Sequence, residues 1–293
     1  MNVSGDRINL WASPISETEE QKCQNAMSAV IEAMRARFGT DVTVIKQGSH
    51  RNRTNIRADS DVDIAVVYNE SYFPDTSSLS AVDKALHEAN TTAATYRFEQ
   101  FKNDVHAELL KVFGAETVER KDKCIRVKGN SYRVNADVVP AFGHKRYRSF
   151  GNVEAEGIGF VTDRGVTTFS YPDQHYANGV SKNDATDRGY KPVVRILKHT
   201  RNEMIDKAII EPDSMASFLI ESLVWNIPHA HFRNQTRRED ARAVALQIWS
   251  DMKDSDKAKN YAEVSDLKYL FHGDHTPTKA QAFMLQAWDY LAI

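Results

Sequence analysis

The feature that most constrains this chain is Ser60-Asp61-Val62-Asp63-Ile64-Ala65-Val66-Val67, where an apolar run opens on two carboxylates one residue apart. The run has the length and branched composition of a buried strand. Along a strand, side chains at i and i+2 share a face, so Asp61 and Asp63 stand side by side while Val62 and Ile64 turn away. Adjacent carboxylates repel unless a cation lies between them. Magnesium takes oxygen ligands, commonly one or two carboxylates together with substrate phosphates, and suits such a pair. Taken alone, an Asp-x-Asp pair equally describes a solvated strand end.

Two further stretches give the pair a context. Gln47-Gly48-Ser49 follows the apolar run 42–45 and precedes a polar, basic segment containing His50, Arg51, Arg53 and Arg57. A glycine there lets backbone approach a phosphate, and a Ser hydroxyl with exposed amides at a helix start can grip its oxygens, although a Gly-Ser pair is also an ordinary turn. Farther on, Val134-Asn135-Ala136-Asp137-Val138-Val139-Pro140 is an apolar strand with one acid near its end. If it lies beside the Asp61 strand, Asp137 completes a three-carboxylate cluster able to hold two metal ions, the device of in-line phosphoryl transfer. Asp137 is then the ligand on the nucleophile side and an acceptor for the hydroxyl proton.

Short β-rich runs at 42–45, 62–68, 124–127 and 132–139 alternate with helical patterns at 17–38 and 80–113. After residue 170 the pattern is helix upon helix, at 188–208, 213–227, 236–253 and 277–291, with Pro212, Pro228 and Pro277 at their ends. This predicts an α+β protein divided near residue 165: a mixed-sheet lobe over 1–165 with an N-terminal spine helix, and a helical lobe over 166–293, with a ligand cleft between them. A chain of 293 residues is long enough for two such lobes.

Charge and cysteine content narrow the partners. The net charge of −2 argues against wholesale binding of duplex nucleic acid. Local basic clusters, Lys46 to Arg57 and a second holding Arg120, Lys121, Lys123, Arg126, Lys128 and Arg133, are enough for a small polyphosphate. Two cysteines, Cys23 and Cys124, are read as buried reduced thiols, too few for a Cys-rich zinc site. No stretch reaches the roughly 18 apolar residues of a membrane span, and the N-terminus lacks the order of a secretory signal, so the expected location is the cytoplasm.

The order Gly48-Ser49, eleven intervening residues, Asp61-x-Asp63 and a later strand Asp137 resembles the DNA polymerase β-like nucleotidyltransferase superfamily. More narrowly, over roughly residues 20 to 230, the chain is similar to the bacterial cGAS/DncV-like nucleotidyltransferases, or CD-NTases. That resemblance implies a bilobal fold whose helical lobe closes a nucleotide cleft. It also implies Mg2+ as two ions, with Mn2+ as a substitute, and ATP, GTP or a pyrimidine triphosphate as substrates. These would be joined into a cyclic di- or trinucleotide in anti-phage (CBASS) signalling.

The positions matching the family's triphosphate ligands are Lys198 and Ser217, and Phe218 matches the residue that stacks on the donor base. Chemistry agrees, because an ammonium suits phosphate and an aromatic face accepts any base. The same resemblance places His175, Asn178, Ser181 and Asn183 where nucleotides are faced, although capping and turn formation explain such Asn and Ser residues equally well. The zinc insertion of the animal DNA sensor is missing, as is the broad basic face of the 2'-5' oligoadenylate synthases. Duplex DNA is therefore not an expected activator, and a regulatory protein partner is compatible with the chain. The competing expectations are transfer to a non-nucleotide acceptor, linear 2'-5' oligonucleotide synthesis, and a catalytically dead nucleotide-binding module.

Overall fold

The structure, a computed structural model, describes residues 3–56 and 61–292; Arg57 and Ser60, named above, lie outside them. In chain order come α1 (Gly5–Ala12), α2 (Glu17–Phe38), β1 (Val42–Gln47), α3 (Gly48–Asn52), β2 (Val62–Asp75), α4 (Ala81–Ala89) and α5 (Phe98–Phe113). Then follow β3 (Val118–Arg120), β4 (Ile125–Val127), β5 (Ala136–Ser149), β6 (Asn152–Val161) and β7 (Thr167–Ser170). The remainder is α6 (Pro172–Ala185), α7 (Tyr190–Asp206), α8 (Ser217–Trp225), α9 (Arg237–Asp251), α10 (Ser255–Ala258) and α11 (Pro277–Tyr290), with a 3-10 turn at His229–Phe232. These segments form two compact units, one of Glu17–Gly48 and Asp61–Pro172, the other of Met1–Ser16, Ser49–Ser60 and Asp173–Ile293.

The first unit is built on a mixed sheet whose main path runs β1-β2-β5-β4-β3, with β6 added on the later half of β5 and β7 on β6. β2 and β5 pair in parallel, while β1 with β2 and β4 with β5 are antiparallel. Period-two alternation sorts the side chains. Val62, Ile64 and Val66 join Ala136, Val138 and Phe142 in a core covered by Val30 and Met34 of α2 and by Phe101, Val105 and Leu109 of α5. Ala65 and Ala141 belong to a small cluster on the other face, the face that Asp61, Asp63 and Asp137 share by parity. α2 is oriented favourably by Glu17, Glu19 and Glu20 in its first turn and Arg35 and Arg37 in its last.

The second unit is helical. Val193, Ile196 and Leu197 of α7, Leu219, Ile220 and Leu223 of α8, Val244 and Ile248 of α9 and Phe283 and Met284 of α11 share one core with Ile8 and Trp11 of α1. Thr236 and Glu239 close a reciprocal capping box on α9, and Thr276 caps α11 with Pro277 in its first turn.

Several sequence expectations are revised. A single division near residue 165 gives way because β7 continues the sheet to Ser170, and because 3–16 and 49–56 pack with the helices. Buried Arg195 of α7 accounts for the latter: its guanidinium donates to the carbonyls of Ala12 and, at 2.6 Å, Arg53. The expected helix over 80–113 is two helices, α4 and α5, because Asn90 caps the first by donating back to Leu86 and His87. β5 begins at Ala136 rather than 132, since Asn130 accepts amides from Tyr132 and Arg133 and turns the chain there. Among the described residues, no helix is long and apolar enough to cross a membrane.

Candidate active site

Sheet register assembles the acidic centre. Gln47 of β1 pairs with Asp63 of β2, Asp63 pairs with Asp137 of β5, and Asp137 pairs with Arg126 of β4, so the four side chains occupy one row across four strands. Asp61, two residues before Asp63, lies at the neighbouring level, where Asn135 donates to its Oδ1 at 2.8 Å. Asn135 is itself held by the Gly129 amide at 2.7 Å. Asp137 therefore lies on the strand beside Asp63, as the three-carboxylate expectation requires.

Gly48 explains why this row is tight. Its φ of +66° is the left-handed conformation that favours glycine, and a Cβ there would meet the Asp63 Oδ2 at 2.0 Å. The backbone of the Gly-Ser turn thus approaches the acid itself. Gly48→Ala would combine backbone strain with displacement of Asp63, and a displacement near 1 Å at a reacting centre costs roughly 100-fold in rate. The expected result is a drop in turnover of about that size with only a small change in melting temperature; unchanged turnover would show that the contact is irrelevant to chemistry.

Arg126 is the residue that inspection of the motifs missed. Its Nε donates to Asp137 Oδ1 at 2.9 Å, and its second amino group reaches both Asp61 Oδ2 and Asp137 Oδ2. Hydrogen bonding to Asp137, partly opposed by desolvation, and the charges of both acids hold the guanidinium above its ordinary value. The sequence signal was available as a base two strand positions beyond Cys124, but it was absorbed into a basic cluster. That cluster is not one polyphosphate patch: Arg120 bonds Asp163 and Asn103, and Arg133 lies over Phe113. In the earlier cluster, Lys46 pairs with Glu20 and Arg51 with Asp173. Cys124 is half-buried rather than buried; burial and then the Asp137 charge push its thiol up to about 12, so it is neutral beside the acids.

Three carboxylates on one sheet face present the all-oxygen donor set of a hard divalent cation. Yet among the described residues no group of three or more His, Cys, Asp or Glu side chains is arranged so that it could hold a metal ion. The acids are neighbours, but the Arg126 guanidinium bridges two of them.

In the helical unit the expected residues fall into two groups. Lys198 is 1% exposed, and its ammonium donates to the Thr54 carbonyl at 3.1 Å and to Glu221 Oε2 at 3.3 Å. Thr54 donates to the same carboxylate at 2.6 Å, and His175 Nε2 lies 3.0 Å from Glu221 Oε1. Glu221 and Thr54 were not singled out from the sequence, since an acid inside an apolar helix carries no local signature. Asn178 donates to the Val264 carbonyl and Asn183 accepts the Lys191 amide, so both brace α6 within its unit. The second group is more open: Ser49 and Ser217 are half-buried, Ser181 is exposed, and Phe218 is 40% exposed at the start of α8, 6.2 Å from the His175 ring.

A mixed sheet carrying Asp-x-Asp and a third strand acid, followed by a helical unit, is the polymerase β-like nucleotidyltransferase fold. Residues 177–292 match the model of the cGAS/DncV-like nucleotidyltransferase C-terminal helical domain. A cyclic dipurine nucleotide synthase of Elizabethkingia meningoseptica is 43% identical over 293 residues, covering 99% of each chain. A cyclic dipyrimidine nucleotide synthase of Cecembia lonarensis is 37% identical over 98% of this chain and 97% of its own. The solved Elizabethkingia meningoseptica CdnE structure with GTP and Apcpp superposes with a TM-score of 0.83 at 40% identity, covering 100% of both chains. The chain belongs to the cGAS/DncV-like nucleotidyltransferase family.

Proposed function

We propose that the protein joins two nucleoside triphosphates into a cyclic dinucleotide, releasing pyrophosphate at each bond, as a cytoplasmic signal in anti-phage defence. The observation that carries this reading is the register pairing of Asp63 with Asp137 beside Asp61, in a chain similar throughout its length to named cyclic nucleotide synthases. Mg2+ or Mn2+, held by Asp61, Asp63 and Asp137, would supply charge neutralisation and a more acidic acceptor hydroxyl. Asp137 would accept the proton as the ribose oxygen bonds to the α-phosphorus and the bond to the β-phosphate breaks. Gln47 and Gly48 adjoin Asp63, Gly48 lets backbone amides approach a phosphate, and Ser49 would add its hydroxyl. Ser217 offers a hydroxyl to the triphosphate, while Asn178 and Ser181 present α6 to the nucleotides. Lys198 acts on the phosphates indirectly, by holding Thr54 in the segment that follows Ser49.

Phe218 is assigned as the platform for the donor base, its exposed ring being free to stack. Stacking one base on an aromatic ring is worth about 1–3 kcal/mol, so Phe218→Ala should raise the KM for nucleotide by roughly 5- to 100-fold and leave thermal stability nearly unchanged. A KM within twofold of the parent protein would remove the assignment.

Incubation with all four ribonucleoside triphosphates, phosphatase treatment and mass spectrometry tests the whole reading. A phosphatase-resistant dinucleotide lacking free phosphate ends is expected. A linear 2'-5' product, or consumption only when a non-nucleotide acceptor is added, would replace it.

A further inference from the structure

We propose that Arg126 is a built-in counter-cation for the acidic centre: it holds Asp61 and Asp137 in place without metal and is displaced from them when a divalent ion binds. This inference rests on the metal assignment above and adds a residue to it.

The geometry is specific. Arg126 sits in the same register row as Asp63 and Asp137, one strand beyond the third acid, and its fork engages Asp137 through two nitrogens while also reaching Asp61. Its planar fork spans both carboxylates, and planar forks match carboxylate geometry as an ammonium does not. Its side chain is 26% exposed, and those of Asp61 and Asp137 are 32% and 20%, so these pairs are partly shielded from water.

The three oxygens it contacts, Asp61 Oδ2 and both carboxylate oxygens of Asp137, are ones that a metal held by those residues would draw on. A guanidinium and a divalent ion cannot share them without like-charge repulsion at close range. Arg126 therefore opposes metal binding twice, by occupying donors and by its charge. In exchange it neutralises clustered acids that would otherwise repel one another in the metal-free protein, so two protein forms, arginine-bridged and metal-bound, compete. Asn135 keeps Asp61 fixed in the metal-free form through the other carboxylate oxygen, leaving Oδ2 as the exchangeable one.

The test is direct Mn2+ binding to the full chain without nucleotide, read by electron paramagnetic resonance, with the metal-free melting temperature measured alongside. Arg126→Gln should tighten Mn2+ on the order of tenfold, the scale of losing two partly exposed ion pairs, and lower the metal-free melting temperature. Arg126→Lys, which keeps charge but loses the fork, should fall between Gln and the parent and covers the case in which Arg126→Gln does not fold. Mn2+ affinity unchanged or weakened in the folded variants would overturn the proposal, since a residue that merely orients the acids would weaken metal binding when lost. Asp63→Asn separates this failure from that of the metal assignment: if the parent protein and Asp63→Asn bind Mn2+ equally, the metal site itself is misassigned.

Discussion

Asp61→Asn combined with Asp63→Asn is expected to abolish magnesium-dependent release of pyrophosphate while leaving the circular dichroism spectrum of the protein unchanged. Both positions lie on the sheet face opposite the large core, so amides of the same shape disturb none of the packing that Val62, Ile64 and Val66 make with α2 and α5. What the substitutions remove is negative charge at the one place where strand register gathers it. Transfer at an α-phosphate depends chiefly on positioning and on neutralising the charge that accumulates on phosphate oxygens. Loss of a single preorganised electrostatic element commonly costs roughly 100- to 1,000-fold, and here two of the three proposed metal ligands go together, so a loss of 1,000-fold or more is expected on the order set by those cases. Pyrophosphate released by the double variant at more than about a tenth of the parent rate would place the chemistry elsewhere.

The acid pair was legible because its signal is local: alternation along β2 fixes which side chains share a face, whatever the rest of the chain does. Asp137 was legible only conditionally, since nothing in residues 134–140 says which strand lies alongside; the parallel pairing of β2 with β5 supplies that. Arg126 was harder still to read, for the same reason. Its meaning arises from an antiparallel partner in register, and in the sequence it is one base among several. β6 and β7 escaped notice because Gly157, Gly159 and Gly165 and the acids Glu154, Glu156 and Asp163 interrupt the apolar residues of 152–170, which a long neighbour such as β5 nevertheless draws into a ladder. The helix α6 was not among the expected helices because its Asn, Ser and Gly favour caps and turns locally, yet Asn178 and Asn183 use their side chains to fix the helix to its surroundings. Lys198 shows the opposite limit: family similarity gave it as a triphosphate ligand, whereas its buried ammonium is turned to a carbonyl and a carboxylate of its own unit.

That buried network makes the second large effect one of stability. Glu221 is 3% exposed and accepts from Thr54, His175 and Lys198. Glu221→Gln keeps the shape but leaves the Lys198 ammonium inside the protein without a countercharge and points an amide at one of the three donors. Removing one member of a buried ion pair costs about 3–5 kcal/mol, because the survivor stays desolvated. For a chain of this size that corresponds to a fall in melting temperature of about 10 °C. Acid titration gives an independent signature. Burial opposes ionisation of Glu221, but Lys198, His175 and Thr54 outweigh it and hold the carboxyl well below its ordinary value of 4.5. With the folded value depressed, the ionised group's contribution to stability is complete above that ordinary value and is lost progressively as pH falls from there through the folded one. The parent protein should therefore lose stability below pH 4.5 through a component that Glu221→Gln lacks, and the difference in melting temperature between them should shrink on acidification. A gap that stays constant from neutral pH to acid would mean that Glu221 is held by packing alone, and that Lys198 is poised for something other than the Thr54 segment.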